Sequence, residues 1–136
     1  MPRSRRKARS VALQALYEWD SVGHDPSRAV DGVVQEGADD NFVFAQELVR
    51  QVVDQTSRLD SLIQHFAQSW PVEQIAIVDR NVLRIALCEL LFMEDVPAKV
   101  AISEAVAIAK SYGGEKSSGF VNGVLGKFLS QAQSRA

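Results

Sequence analysis

The sequence predicts an all-α protein, and three observations support this fold class. Its 136 residues include only four prolines and eight glycines, too few for the many tight turns of an all-β fold. Alanine, leucine, glutamine and valine dominate long uninterrupted stretches, a composition that favours helices. Apolar side chains recur at spacings of three and four residues along most of the chain. Together these observations predict about seven helices in a compact arrangement.

The first three helices are predicted from apolar spacing and from residues typical of helix starts. The first helix begins within the basic segment of residues 1–10 and ends at about Trp19. Asp25 as N-cap and Pro26 at the first helical position start a short second helix. Apolar positions over residues 42–53 predict the third.

A fourth helix and a break in the chain follow. Ser57 with Asp60 three residues later predicts a capping box at the start of this helix. The residue before a proline is disfavoured in the helical region, so Trp70-Pro71 predicts the break. The break divides the chain into a first half of about residues 11–69 and a second of about residues 70–136.

Three further helices are predicted in the second half. Between residues 75 and 92 apolar side chains cover more than one helical face, which predicts a central helix contacted from several sides. Residues 97–109 form the next, and Gly113-Gly114 is expected to end it by supplying a left-handed residue. Residues 117–132 form the last.

The charge is distributed unevenly along the chain. Residues 1–10 contain five cations and no acid, whereas the rest of the chain carries 10 basic and 17 acidic groups. Such asymmetry favours a polyanionic partner for the basic segment. The five residues are Arg3, Arg5, Arg6, Lys7 and Arg9.

Nucleic-acid binding is one interpretation of this segment, and a merely solvated or disordered terminus is the other. Arg9 lies three residues after Arg6 and four after Arg5, so the segment is able to become a helical basic face when it binds. Arginine also stacks on exposed bases, which favours single-stranded RNA over a closed duplex.

Catalytic and metal-binding patterns are not found. His24 and His65 lack a nucleophile or an acid at a recognised spacing, and the single cysteine, Cys88, lies in an apolar run typical of a core thiol. No zinc or calcium pattern occurs. We therefore expect no enzyme activity and no cofactor. Because no apolar run reaches the length of a membrane span, we expect a cytoplasmic protein without membrane contact.

The last helix contains a glycine pair and an aromatic residue of interest. Gly119 and Gly123 share one face, which favours close helix packing, with close approach of a ligand backbone as the alternative. Phe120 lies beside Lys116 and is the candidate for stacking on an unpaired base. A core position for Phe120 is equally compatible with the pattern.

Several separate motifs in one order closely resemble the NusB family of bacterial transcription antitermination factors over essentially the whole length. The most specific is DVPAKVAISEA at residues 95–105, followed by AKSYG at residues 109–113 and FVNGVL at residues 120–125. LRIALCEL at residues 83–90 agrees as well, as do RRKAR at residues 5–9 and ALQALY at residues 12–17.

The resemblance implies two small helix bundles and binding of the boxA element in the leader RNA of ribosomal RNA operons. It also implies pairing with ribosomal protein S10, called NusE, within an RNA polymerase antitermination complex that reads through terminators. The RNA path would be lined by Arg5, Arg6, Lys7, Arg9 and Gln14. Phe120 would contact a base. This sequence departs from some relatives in having Lys116 where they have an acidic residue in the turn after Gly113, and the lysine should strengthen the attraction for RNA.

The resemblance further implies that Tyr17 and Asp79 face S10, although a half-buried phenol and a first-turn helix acid are open alternatives. Another function class also remains: a homodimeric adapter between proteins, whose basic segment only keeps it soluble.

Overall fold

The computed structural model describes residues 2–26, 40–67 and 71–134, with side chains for residues 5–26, 42–67 and 71–132. These residues form helices and no strand, which confirms the all-α class. The helices are α1 (Pro2–Val22), α2 (Asp40–Asp54), α3 (Thr56–Phe66), α4 (Ile77–Phe92), α5 (Ala98–Tyr112) and α6 (Ser117–Ser134), with a 3-10 helix at Val72–Gln74. The short helix predicted after Pro26 lies outside the described residues.

Helix α4 is the centre of the fold. It contacts each of the other five α-helices, and every side chain from Asn81 to Glu89 is buried. The central helix predicted from its apolar positions is therefore confirmed, including the buried thiol of Cys88. It begins at Ile77 because the 3-10 helix and the extended residue Ile75 come before it.

The remaining helices pack around α4 from two sides. Helices α1 and α2 pack on each other and on α4, whereas α5 packs between α4 and α6. Helix α3 contacts both α4 and α6. The buried apolar side chains form one continuous cluster. The boundary predicted between residues 69 and 70 falls on residues outside the described part of the chain.

Two arginines of α4 form ion pairs with carboxylates of α1 and α3. Arg80 donates two hydrogen bonds of 2.6 Å to Asp20 near the end of α1. Arg84 donates to Asp20 at 2.9 Å and to both carboxylate oxygens of Asp60 at 2.8 Å. Burial alone would raise the pKa of Asp20, but hydrogen bonds from Arg80 and Asn81 hold it below its usual value.

The predicted capping box is wrong, because Ser57 lies inside α3 and not before it. Helix α3 begins at Thr56, whose hydroxyl donates backward to the Val52 carbonyl of α2 at 2.7 Å, and its N-cap Gln55 makes no side-chain cap. Gln55 is therefore the one residue between α2 and α3. The carboxylate of Asp60 binds Arg84 instead of a backbone amide.

Two glycines end helices for different reasons. Gly23 is the left-handed residue after α1, with φ 77° and an N–H that donates to the Trp19 carbonyl at 3.0 Å. The left-handed conformation predicted for Gly113 is wrong, because its backbone is extended, with φ −93° and ψ −169°. A Cβ there would lie 2.7 Å from the Ala109 carbonyl oxygen and 2.6 Å from the Ser117 Cβ.

Gly119 and Gly123 do not mediate close helix packing. A Cβ built on either would meet nothing within 4 Å, and both residues are exposed. The expectation of helix contact at this pair is wrong, because α6 packs through its other face, with Val121, Val124 and Leu125 buried. Approach of a ligand backbone stays an open alternative.

Gly113→Ala is expected to lower the free energy of unfolding by about 1–3 kcal/mol, because the new methyl group would overlap backbone that cannot rotate away. Gly123→Ala is the matched control, since its methyl group meets open space in an exposed helix. That change should raise the stability by about 0.5–1 kcal/mol. Urea unfolding followed by circular dichroism measures both. A Gly113→Ala protein as stable as the wild type would contradict the packing described.

Candidate nucleic-acid interface

The basic segment is already helical in the chain alone, as the first turns of α1. This agrees with the prediction that the first helix begins within the basic segment, and the helical basic face expected on binding is already formed in the chain alone. The physical reason is that three of its arginines each meet a carboxylate supplied by another part of the fold. The helical rotation gives these arginines different surroundings.

Arg9 is an internal residue. It is 2% exposed and donates to both carboxylate oxygens of Glu89 on α4, at 2.6 and 2.8 Å. Its guanidinium also lies 5.4 Å from the ring centre of Phe44. Burial raises the pKa of Glu89 even against the opposing effect of Arg9. The predicted RNA contact by Arg9 is corrected, because its charge is enclosed and satisfied within the core.

Arg6 lies at the rim of the same cluster. It donates from Nε and Nη2 to the two oxygens of Glu104 on α5, at 2.9 and 2.6 Å. The Arg6 side chain is nevertheless 59% exposed, whereas that of Glu104 is only 12% exposed. Arg6 is thus held by a protein carboxylate while much of its surface faces solvent.

Arg5 and Lys7 complete the described part of the basic segment. Arg5 donates to the exposed Asp95 at 3.1 Å and lies 4.5 Å above the ring of Phe44. Lys7 is exposed and makes no ion pair with any residue in the described ranges. The side chain of Arg3 lies outside those ranges. Three carboxylates therefore offset much of the charge that the sequence concentrates in this segment.

A groove of about 640 Å³ runs beside α1. Lys7 and Gln14, which were predicted to contact RNA, and Tyr17, which was predicted to face S10, all line it. They share one face because their spacings are close to whole helical turns. Tyr112 at the end of α5 lines it too and is 56% exposed. Sequence reasoning missed Tyr112 as a surface residue, because a tyrosine before a glycine only marked the end of a helix.

Asp79 lies in the first turn of α4, next to Val78, which also lines the groove. Its Oδ1 atom is buried and accepts no hydrogen bond from the described residues. A buried acceptor without a donor costs about 1–3 kcal/mol. The prediction that Asp79 meets a partner protein is compatible with this position.

Phe120 and Lys116 lie outside the groove beside α1. Lys116 is exposed immediately before α6, and Phe120, in the first turn of α6, is half-buried against the core. Neither residue lines the groove beside α1. The structure therefore brings together Lys7, Gln14 and Tyr17 in one groove and places Phe120 and Lys116 elsewhere.

Comparison with known proteins places this fold among its relatives. A model of the NusB family matches residues 6–130. The chain belongs to the NusB family. It is 48% identical over 127 residues to the transcription antitermination protein NusB of Dehalococcoides mccartyi, covering 92% of this chain and 89% of that protein. The NusB protein of Bacillus mycoides is 44% identical over 122 residues, covering 89% and 93%.

A solved structure of the antitermination factors NusB and NusE in complex with double-stranded RNA has the same fold. Its similar chain superposes with a TM-score of 0.84 at 32% identity, covering 93% of this chain and 96% of that chain. Membership of the NusB family confirms the prediction that this chain is not an enzyme. Among the described helices, none has the length and apolar character needed to cross a membrane.

Arg9→Met is expected to lower the free energy of unfolding by about 3–5 kcal/mol, because Glu89 would be left buried without its counter-charge. Replacing both residues together, Arg9→Met with Glu89→Leu, should recover most of the loss, since no unpaired charge then remains. Arg6→Met should change the stability much less, because Arg6 is exposed. Chemical denaturation of the three variants measures this, and equal effects of Arg9→Met and Arg6→Met would refute the internal role of Arg9.

Proposed function

We propose that this NusB-family protein is a transcription antitermination factor that binds boxA RNA together with ribosomal protein S10 and promotes read-through by RNA polymerase. The observation that carries the proposal is the groove beside α1 in which Lys7, a cation, lies on the same face as the aromatic Tyr17. The family match and the NusB–NusE–RNA complex of a relative support this choice of partners. The protein would act in the cytoplasm.

The RNA would bind at the N-terminal end of α1. Lys7 supplies a cation that no described carboxylate offsets, and Arg6 supplies an exposed guanidinium. Gln14, two turns further along the same face as Lys7, supplies a neutral amide that both donates and accepts hydrogen bonds. Arg3, Arg5 and Lys116 would add charge, and Phe120 would stack on a base of single-stranded RNA.

The S10 partner would bind at the other end of the groove. Tyr17 and Tyr112 are exposed by 43% and 56%, and tyrosines of this kind are common at protein interfaces because an apolar ring carries a polar tip. Asp79, next to Val78 in the first turn of α4, would face the same partner. We expect RNA and S10 to tighten each other's binding, and thermodynamic linkage requires that both effects have the same factor.

A salt-dependent titration tests the proposal. BoxA-like and scrambled single-stranded RNAs would be titrated with and without S10, and tight binding that prefers boxA and strengthens with S10 is expected. Lys7→Gln should weaken binding several-fold and reduce the slope of log K against log salt by about 0.7. Arg50→Gln removes the same charge from the exposed face of α2 and should leave both quantities unchanged.

Weak binding that ignores both sequence and S10 would contradict the proposal and favour the homodimeric adapter. Sedimentation of the free protein would then test for that dimer. Reversing the charge of Arg9 is not an informative control, since a glutamate there would face buried Glu89 and disrupt the fold.

A further inference from the structure

The hydrogen bonds between Arg6 and Glu104 use only one edge of the guanidinium. Nε and Nη2 donate to the carboxylate, and Nη1 takes no part in the pair. Both N–H groups of Nη1 and one of Nη2 are therefore left for another acceptor. The exposed fraction of 59% shows that solvent reaches this side chain while the pair is intact.

Glu104 is held from the side opposite to Arg6. Its side chain is 12% exposed, and its Oε1 atom lies 3.6 Å from Nη1 of Arg9, which is itself bound to Glu89. Hydrogen bonds from Arg6 hold the pKa of Glu104 below its usual value, so the carboxylate is ionised at neutral pH. The position of Glu104 is thus fixed by a buried ion pair, and the position of Arg6 is fixed by Glu104.

We propose that Glu104 is a positioning residue that holds Arg6 in place so that its free edge receives an RNA phosphate. The inference rests on the proposed RNA-binding function and assigns a role to an acidic residue that does not itself meet the RNA. An arginine side chain loses rotamer freedom when it is ordered. Because Glu104 already orders Arg6 in the folded protein, this loss of rotamer freedom does not weaken RNA binding.

Glu104 also opposes RNA binding, because its negative charge offsets that of Arg6. The two effects predict opposite results when the carboxylate is removed. Loss of a pure counter-charge would strengthen RNA binding, whereas loss of a positioning group would weaken it. The geometry favours positioning, since Nη1 of Arg6 is not bonded to Glu104, and a phosphate bound there would not need to displace the carboxylate.

Asp95 provides a matched control within the same cluster. It makes a single 3.1 Å contact with Arg5, and its side chain is 68% exposed. Exposed pairs of this kind order their partners little. Asp95→Asn and Glu104→Gln remove the same charge, one from a loosely held pair and the other from a firmly held one.

The test is a double-mutant cycle on the affinity for boxA-like RNA in the presence of S10, at one salt concentration. The proteins are the full-length wild type, Glu104→Gln, Arg6→Gln and the double variant, with Asp95→Asn as control. We expect Glu104→Gln to weaken binding by about three- to tenfold in the wild type and to have no weakening effect in the Arg6→Gln background. Asp95→Asn should leave the affinity equal or slightly raise it.

Two results would overturn the inference while leaving the proposed function intact. Tighter binding by Glu104→Gln would show that the carboxylate only offsets charge. Equal weakening in both backgrounds, together with a lower melting temperature, would show that Glu104 acts through the fold alone. Absence of RNA binding by the wild-type protein would instead refute the proposed function, on which this inference depends.

Discussion

The buried ion pair between Arg9 and Glu89 is the interaction on which the rest of the site depends. It joins α1 to the central helix α4 with two short hydrogen bonds inside the core. Neither charge is tolerable there without the other, so the pair fixes where α1 lies and how it is rotated. That rotation turns Lys7 and Gln14 toward the groove and leaves Arg6 at the rim beside Glu104.

A run of basic residues therefore does not form one uniform basic surface. In the described part of the run, Arg9 is paired inside the core, and Arg5 and Arg6 are paired with carboxylates nearer the surface. Lys7 has no carboxylate partner there. Helical rotation of about 100° per residue separates these roles between neighbours in sequence. RNA binding in this protein then depends on a few positioned groups more than on total charge.

The sequence predicted features that depend on local spacing. The all-α class and the central helix follow from the periodicity of apolar side chains. Pairing between distant charges could not be predicted, because Glu89 and Glu104 are 80 and 98 residues away from Arg9 and Arg6. The same applies to Asp60. Its spacing from Ser57 is typical of a capping box, but its carboxylate accepts a hydrogen bond from Arg84 of another helix.

Amide hydrogen exchange of the free protein tests the central claim, which is that the buried pair holds the basic turns of α1 folded without RNA. The account predicts that the backbone amides of residues 7–11 are protected nearly as well as those in the second half of α1. Exchange of these amides at the rate of an unstructured chain, with protection that appears only when RNA is added, would contradict it.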